Sequence, residues 1–480
     1  MRKSGIRFSA RIPRSALGED PVHDTDVDPS KHRDRKRCRS IETSGSKWIG
    51  SIQSHRDPKP RAGEANMTEA SLFAIATGPD HRADPYPLYA KLREFPVLRQ
   101  ADGTYVATTF KEIRSLLFDE RVSSDDLPLF KHPKTGNLIM DFILNPIRDR
   151  MLLKHRPLLF RDPPEHDVLR RRVMTQFTPE RVQAMRGRAA ALVEQFIDGM
   201  RGRGQVDFVG DFAYPLPVTV ICEMLGVPPE DEKLFHAWSR TLAGVLDPDQ
   251  RCSEQYNNAN VAAYDDIGAY LEALIKAKRK CPKDDLLSGL ANDKDKKTGR
   301  INKYDLIATA MLLLVAGHET TVNLLANAML TLLRHPEHFA RLRRDPRMAA
   351  RVVDEVLRFD PPVHFRTRKT LSDIEIAGII IPRGAPLVLL FASGNRDPKR
   401  FRDPDRFDPD RADPHHFGFG GGIHYCLGAQ LARLEAEIAL TALAKRLIDP
   451  SLILDPPPYR AGAALRGPER LDLRIGGIAG

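Results

Sequence analysis

The spacing of apolar residues divides the chain into three regimes. Residues 1–66 are rich in Arg, Ser, Asp and Pro and show no apolar period, so burial there cannot offset the entropy of ordering. From Met67 onward apolar residues recur three and four apart. That spacing predicts a short amphipathic helix over Tyr86–Phe95 and longer helices over 178–202, 215–245 and 254–279, the last carrying Leu271, Leu274 and Ile275. Asn302–Arg334 is the longest apolar-rich segment, apolar on every side around its middle, which predicts a helix through the centre of a large domain. A further amphipathic helix is predicted over 344–359, stopped by Pro361-Pro362.

Elsewhere the period shortens to two. Thr104–Phe110 reads as a strand, and so do Ile374–Ile376, Ile379–Ile381 and Pro386–Phe391, separated by turns at Gly378 and Pro382-Arg383-Gly384. Residues 121–160 have no clear period and read as a long irregular, functional stretch. Pro398, Pro404, Pro409 and Pro414 make 397–414 an extended loop, followed by glycine-rich 418–422 and a helix over Leu427–Leu447.

Composition narrows the class. With 480 residues, 41% apolar and both charge signs abundant, the chain can build a large core and is neither disordered, collagenous nor a small disulfide scaffold. Five cysteines without a CxxC pair fit a reducing cytoplasm. Of the net charge of +10, residues 1–66 supply +6, leaving +4 across 67–480, too little for a nucleic-acid footprint. Residues 1–66 therefore read as a disordered basic extension, or as the product of a start upstream of Met67, and 67–480 as a single domain. The apolar run Ile307–Gly317 is about half of the ~20 residues a membrane span needs, and the N-terminus lacks a secretory apolar core.

Chemistry concentrates in four places. In Phe419-Gly420-Gly421-Gly422-Ile423-His424-Tyr425-Cys426-Leu427-Gly428, a cysteine sits where a glycine-rich loop enters a helix, whose N–H groups favour thiolate. Gly422 and Gly428 clear space beside the sulfur for a flat cofactor or backbone donors, and Phe419 can shield it. Phosphate-loop spacings fail, and the nearby histidines lack a second metal-binding pair. Within the apolar helix, Gly317-His318-Glu319-Thr320-Thr321 places an acid and two hydroxyls where burial is costly, and Gly317 can let the helix open locally. Glu355 and Arg358 share a helix face and can pair, with Arg411 as a third charge. His166 and Arg170, i and i+4 after Pro163-Pro164, present two donors to an anion or are surface charge.

These motifs, in this order and spacing, resemble the cytochrome P450 family of haem-thiolate monooxygenases over residues 75–475. Phe419, Gly422, His424, Cys426 and Gly428 match its haem loop, Ala316–Thr321 its oxygen-activation stretch, and Glu355–Arg358 with Phe407–Arg411 its structural charge network. The resemblance implies a mainly α fold with a small β region near 371–391 (α+β), and haem b between the long central helix and the cysteine loop. It implies Cys426 as the axial thiolate of the haem iron, Glu319 and Thr320 as a proton relay to dioxygen, and Gly317 as the residue making room for it. His166, Arg170, Arg368 and His424 would bind the haem propionates, with Arg366 an alternative to Arg368 on the same strand parity. Glu355, Arg358 and Arg411 would support the fold behind the loop.

The implied reaction consumes O2, two electrons and two protons and inserts one oxygen atom into a hydrophobic small molecule. A separate ferredoxin or flavodoxin with its reductase would supply the electrons, Arg433 being a candidate docking contact. A monomer is expected. The implied pocket draws on Phe130, Ile139, Met140, Phe142 and Ile143, on the helices around 215–260, on Leu313, and on Val363-His364-Phe365. Lys131, Lys134, Arg148 and Arg150 could hold a carboxylate or be solvated. A peroxide-driven haem-thiolate enzyme is the alternative, which the intact Glu319-Thr320 pair argues against.

Overall fold

The computed structural model describes residues 71–125, 140, 144–243, 254–295, 298–413 and 415–480. Expectations for 1–66 and for Phe130, Lys131, Lys134, Ile139, Phe142 and Ile143 fall outside them.

The N-terminal part alternates short elements: α1 (Leu72–Ala76), α2 (Tyr86–Leu92), β1 (Val97–Arg99), β2 (Tyr105–Ala107), α3 (Phe110–Leu117) and β3 (Val122–Ser123). The strand expected over Thr104–Phe110 thus stops at Ala107. Thr109 is extended, and the Asp397 carboxylate accepts from the Phe110 N–H at 2.9 Å, which starts α3. The stretch 121–160 is more regular than its pattern suggested. It holds α4 (Asn145–Lys154), whose apolar residues scatter around the axis and leave no period to read.

Then follow α5 (Glu165–Met174), α6 (Pro179–Ala184), α7 (Arg186–Gly199), β4 (Gln205–Asp207), α8 (Pro215–Leu225), α9 (Glu232–Ala243) and α10 (Glu254–Lys280). Two expected helices are each divided. The 178–202 helix breaks at Met185, and the 215–245 helix breaks where Gly226 turns left-handed at φ +71° ahead of Pro228-Pro229.

Next come α11 (Leu286–Asn292), a hairpin of β5 (Lys294–Asp295) and β6 (Gly299–Arg300), and α12 (Lys303–Arg334). Asn302 caps α12, its side-chain oxygen accepting from the Tyr304 N–H at 2.9 Å. This 32-residue helix is long and apolar enough to cross a membrane, but it packs as core against α8, α9, α10 and further helices. Val322, Leu325 and Met329 are fully buried, each worth on the order of 1.5–3 kcal/mol.

After it come α13 (Pro336–Arg344), unread in the sequence, and α14 (Ala349–Phe359). The latter starts later than expected because Asp345 caps a separate turn at Pro346.

The β region is larger than the 371–391 segment expected. β7 (Arg366–Thr370), β8 (Ile374–Ile376), β9 (Ile379–Ile381) and β10 (Pro386–Leu389) follow α14. β10 and β7 join the N-terminal strands in a sheet ordered β1-β2-β10-β7-β3, parallel between β2 and β10 and antiparallel elsewhere. α15 (Phe391–Gly394) leads into the proline-rich loop, and α16 (Ala429–Arg446) leaves the cysteine loop.

β11 (Leu447–Ile448), β12 (Ser451–Leu452), β13 (Asp472–Arg474) and β14 (Gly477–Ile478) close the chain. β13 pairs with β4 from far upstream. Nearby, buried Arg466 donates to the carbonyls of Arg82 (3.0 Å) and Ala83 (2.8 Å) and pairs with Asp360, which also accepts from the Tyr86 hydroxyl at 2.8 Å.

Candidate active site

The cysteine loop is tied to itself by Gly420 N–H to Phe417 carbonyl (2.8 Å) and Cys426 N–H to Phe419 carbonyl (3.0 Å). Gly422 is left-handed at φ +62°, and a Cβ there would clash with the Leu117 carbonyl at the end of α3. Its glycine therefore serves the approach of α3, a correction to the expectation that it clears space beside the sulfur. Gly428 lines the cavity described below, and a Cβ there would meet nothing within 4 Å.

That cavity has about 1420 Å³ of empty space, counting its mouth. Gly317 and Thr320 face it from α12, Phe419, His424, Cys426 and Gly428 from the loop, Arg170 from α5, and Arg366 and Arg368 from β7. Cys426 is accessible onto this cavity although it lies deep in the protein. Burial pushes its thiol up, and the Gly428 N–H, Arg170, Arg433 and Arg366 pull the other way without prevailing.

The positive rim is arranged as follows. Arg170 donates to the Tyr425 carbonyl at 2.7 Å and Arg368 to the Thr367 carbonyl at 2.8 Å. His166 is wholly buried behind them. Its Nδ1 is 2.8 Å from the Asp167 carboxylate and its ring 4.4 Å from that of His424. Although i and i+4, His166 and Arg170 do not both line the cavity; only Arg170 does. The Nε2 atoms of His166 and His424 have no hydrogen-bond partner among the described residues. Burial, then Arg368, His166, Arg170 and Arg366, push the His424 imidazole down to about 3.

α12 runs unbroken through the acid–alcohol stretch. The Thr320 and Thr321 hydroxyls donate to the carbonyls of Ala316 (2.7 Å) and Gly317 (2.9 Å), so the local opening expected at Gly317 is absent. A Cβ on Gly317 would sit in ordinary van der Waals contact with the Ile221 side chain, at 3.8 Å. Glu319 does not line the cavity. It is buried and paired with Arg460, from the segment between β12 and β13.

Behind the loop, Arg358 donates to both Glu355 carboxylate oxygens (2.8 and 2.7 Å) and to the carbonyls of Asn395 (2.9 Å), Pro404 (2.8 Å) and Arg406 (3.1 Å). Arg411 lies 3.5 Å from Glu355. Arg433, the candidate docking contact, is held within the chain on one side. It is partly buried, 2.9 Å from Asp354 and stacked 4.4 Å over the Phe419 ring.

The apolar wall includes Leu158, Ile221, Leu312, Leu313 and Val363. His364 and Phe365, expected there, are buried elsewhere: His364 Nδ1 is 3.1 Å from the Tyr89 hydroxyl, and Phe365 packs in the core. Met140 is half-buried, Arg148 pairs with Asp265, and Arg150 is exposed.

Two residues escaped the sequence reading. Arg460 is 141 positions from its partner Glu319 and leaves no local trace. Glu435 does leave one: it lies four after Leu431, on the apolar stripe of α16. It lines the cavity fully buried, its Oε2 has no partner among the described residues, and burial pushes its carboxyl up to about 8.

A thiol facing a cavity ringed by arginines and an unpartnered histidine nitrogen suits a flat, metal-centred, dianionic group, so the residues fit haem. Comparison with known proteins agrees. The family model "Cytochrome P450" matches residues 145–447. Similar curated proteins include the cytochrome P450 monooxygenase PikC of Streptomyces venezuelae, 37% identical over 83% of this chain and 93% of that protein. Another is the 6-deoxyerythronolide B hydroxylase of Saccharopolyspora erythraea, 36% identical over 84% and 100%. Among solved structures, ligand-free CYP164A2 of Mycobacterium smegmatis superposes with a TM-score of 0.75 at 37% identity, over 85% of this chain and all of that one. Motifs, cavity and relatives converge: the chain belongs to the cytochrome P450 family of haem b monooxygenases.

Proposed function

We propose that the chain hydroxylates or epoxidises a hydrophobic small molecule with O2, drawing two electrons from a separate ferredoxin or flavodoxin served by a reductase. The apolar wall around Leu158, Ile221, Leu312, Leu313 and Val363 supports an apolar substrate, and two relatives are named as hydroxylases. The sequence carries no flavin, nicotinamide or iron–sulfur motif of its own, which supports an external electron donor.

In this reading Cys426 would bind the haem iron through its sulfur, while Arg170, Arg368 and His424, with His166 packed against His424, would hold the carboxylates of the group. Haem, when bound, supplies the activation of dioxygen, helped by electron density from the thiolate. The protein does the rest. Gly317 presents no side chain to the cavity, the apolar wall orients substrate and excludes water, and the Thr320 hydroxyl delivers a proton into the cavity. To do so, Thr320 turns from the Ala316 carbonyl and is resupplied by Glu319.

The observation that carries this reading is that Thr320 and Cys426 face one cavity from two different elements. Thr320→Ala should lower product formed per NADH several-fold while NADH consumption continues. Unchanged coupling would remove the hydroxyl from the mechanism.

A further inference from the structure

A buried acid that gives up a proton must be refilled. Glu319, Asn323 and Asn327 stand one turn apart on α12 and share a face. The chain from Tyr459 to Pro468 closes over it: Tyr459 and Pro468 form an antiparallel bridge, and the Arg460 N–H donates to the Gly467 carbonyl at 3.2 Å. Asn327 ties this segment down, its side-chain amide donating to the carbonyls of Arg466 (3.3 Å) and Asp360 (3.1 Å). Gly467 packs so tightly that a Cβ would clash with the Asn323 side-chain oxygen.

Asn323 itself is wholly buried, and neither amide atom has a hydrogen-bond partner among the described residues. A buried primary amide in that condition is satisfied by ordered water. Arg460 spans the remaining gap. Its guanidinium pairs with Glu319, its Nε is buried without a hydrogen bond among the described residues, and its side chain is still 22% exposed. A polar seam thus crosses otherwise apolar packing, from solvent to the residue beside Thr320.

We propose that this seam is the proton entrance of the site: Asn323 holds a relaying water, and Arg460 is a positioning residue that keeps Glu319 turned from the cavity until the pair opens. A proton passes from solvent to the water at Asn323 and then to the Glu319 carboxylate. Glu319 gives it to the Thr320 oxygen, whose own proton moves into the cavity. One proton crosses, no electron moves, and Glu319 returns to Arg460 as a carboxylate. The inference rests on the Glu319–Thr320 relay proposed above.

The test uses the holoenzyme and the variants Arg460→Met, Arg460→Lys and Asn323→Leu. Arg460→Met removes the arginine from a buried carboxylate and leaves His318 Nε2 3.8 Å away, and the carboxylate takes up a proton. A new carboxylic-acid C=O band should appear in the infrared at neutral pH, vanish when Glu319→Gln is added, and be absent in Arg460→Lys. Asn323→Leu should raise the solvent isotope effect on product formation about twofold and lower product per NADH. A high-resolution structure of the parent protein should show water at Asn323.

A dry Asn323, or an Arg460→Met protein without the band, overturns the seam. Should Arg460→Met not fold, Asn323→Leu and the parent structure still decide. If Thr320→Ala and Glu319→Gln leave coupling intact, the relay itself is wrong. If they uncouple while the Arg460 and Asn323 variants match the parent, the seam alone is wrong.

Discussion

Buried charge is treated in opposite ways on the two sides of the cysteine loop. Behind it, all five N–H groups of Arg358 are spent within the chain, on Glu355 and three backbone carbonyls. In front of it, His166 and His424 each keep a ring nitrogen without a partner among the described residues, and Glu435 keeps a carboxyl oxygen so. A saturated cluster offsets its own desolvation and asks nothing of a ligand; an unsaturated one facing a cavity is built for something that arrives later. The contrast holds between Arg358 and the cavity-lining His424 and Glu435, since Arg411 beside Glu355 also keeps its Nε without a hydrogen bond among the described residues.

The contrast can be broken most forcefully at the saturated cluster. Arg358→Ala takes a charged donor from buried Glu355, which keeps the Asp408 N–H, and from three carbonyls, of which that of Arg406 keeps Arg411 at 3.2 Å, a loss of about 3–5 kcal/mol. Set against a total stability of roughly 5–15 kcal/mol, that should abolish recovery of folded protein. Well-folded Arg358→Ala in urea titration would place the cluster outside the scaffold.

The next effect in size concerns Glu435. Its carboxyl, raised from 4.5 to about 8, keeps a proton in the folded state that the unfolded chain has released. Its contribution is therefore fully present below pH 4.5 and declines as pH rises to about 8. Glu435→Gln should flatten that decline, gaining on the order of a few kcal/mol over the parent at the alkaline end. Parallel pH dependences in urea unfolding would show that Glu435 is already ionised.

The smallest effect expected is at the rim. Arg368→Gln removes one charge-assisted partner worth roughly 1.5–3 kcal/mol. It should speed haem transfer to excess apomyoglobin about tenfold or more and leave urea stability of the haem-free chain unchanged. A change in stability without a change in haem release would move Arg368 to the scaffold side.

Much of this was legible in the sequence, for local reasons. α12 announces itself because apolar residues surround it and Asn302 caps it, and the cysteine loop because its chemistry is packed into ten consecutive residues. What was illegible depends on distant contacts. α3 begins where Asp397 supplies a cap from 287 residues away. The five-stranded sheet joins segments whose period is too short to show their pairing. Gly422 looked like room for a cofactor, yet the atom it must avoid belongs to Leu117. Glu435 could have been found by asking which charged residue stands on an apolar stripe; Arg460 could not.

Arg466 carries a consequence for how the protein is made. Synthesis runs from the N-terminus, so the carbonyls of Arg82 and Ala83 wait for a counterpart 384 and 383 residues downstream, and the carboxylate of Asp360 waits for the same arginine. β4 waits likewise for β13. The packing of α2 against Asp360 is therefore incomplete until Arg466 has left the ribosome. A message truncated before codon 466 yields a protein flawed at its beginning, where α2 meets Asp360, as well as at its end.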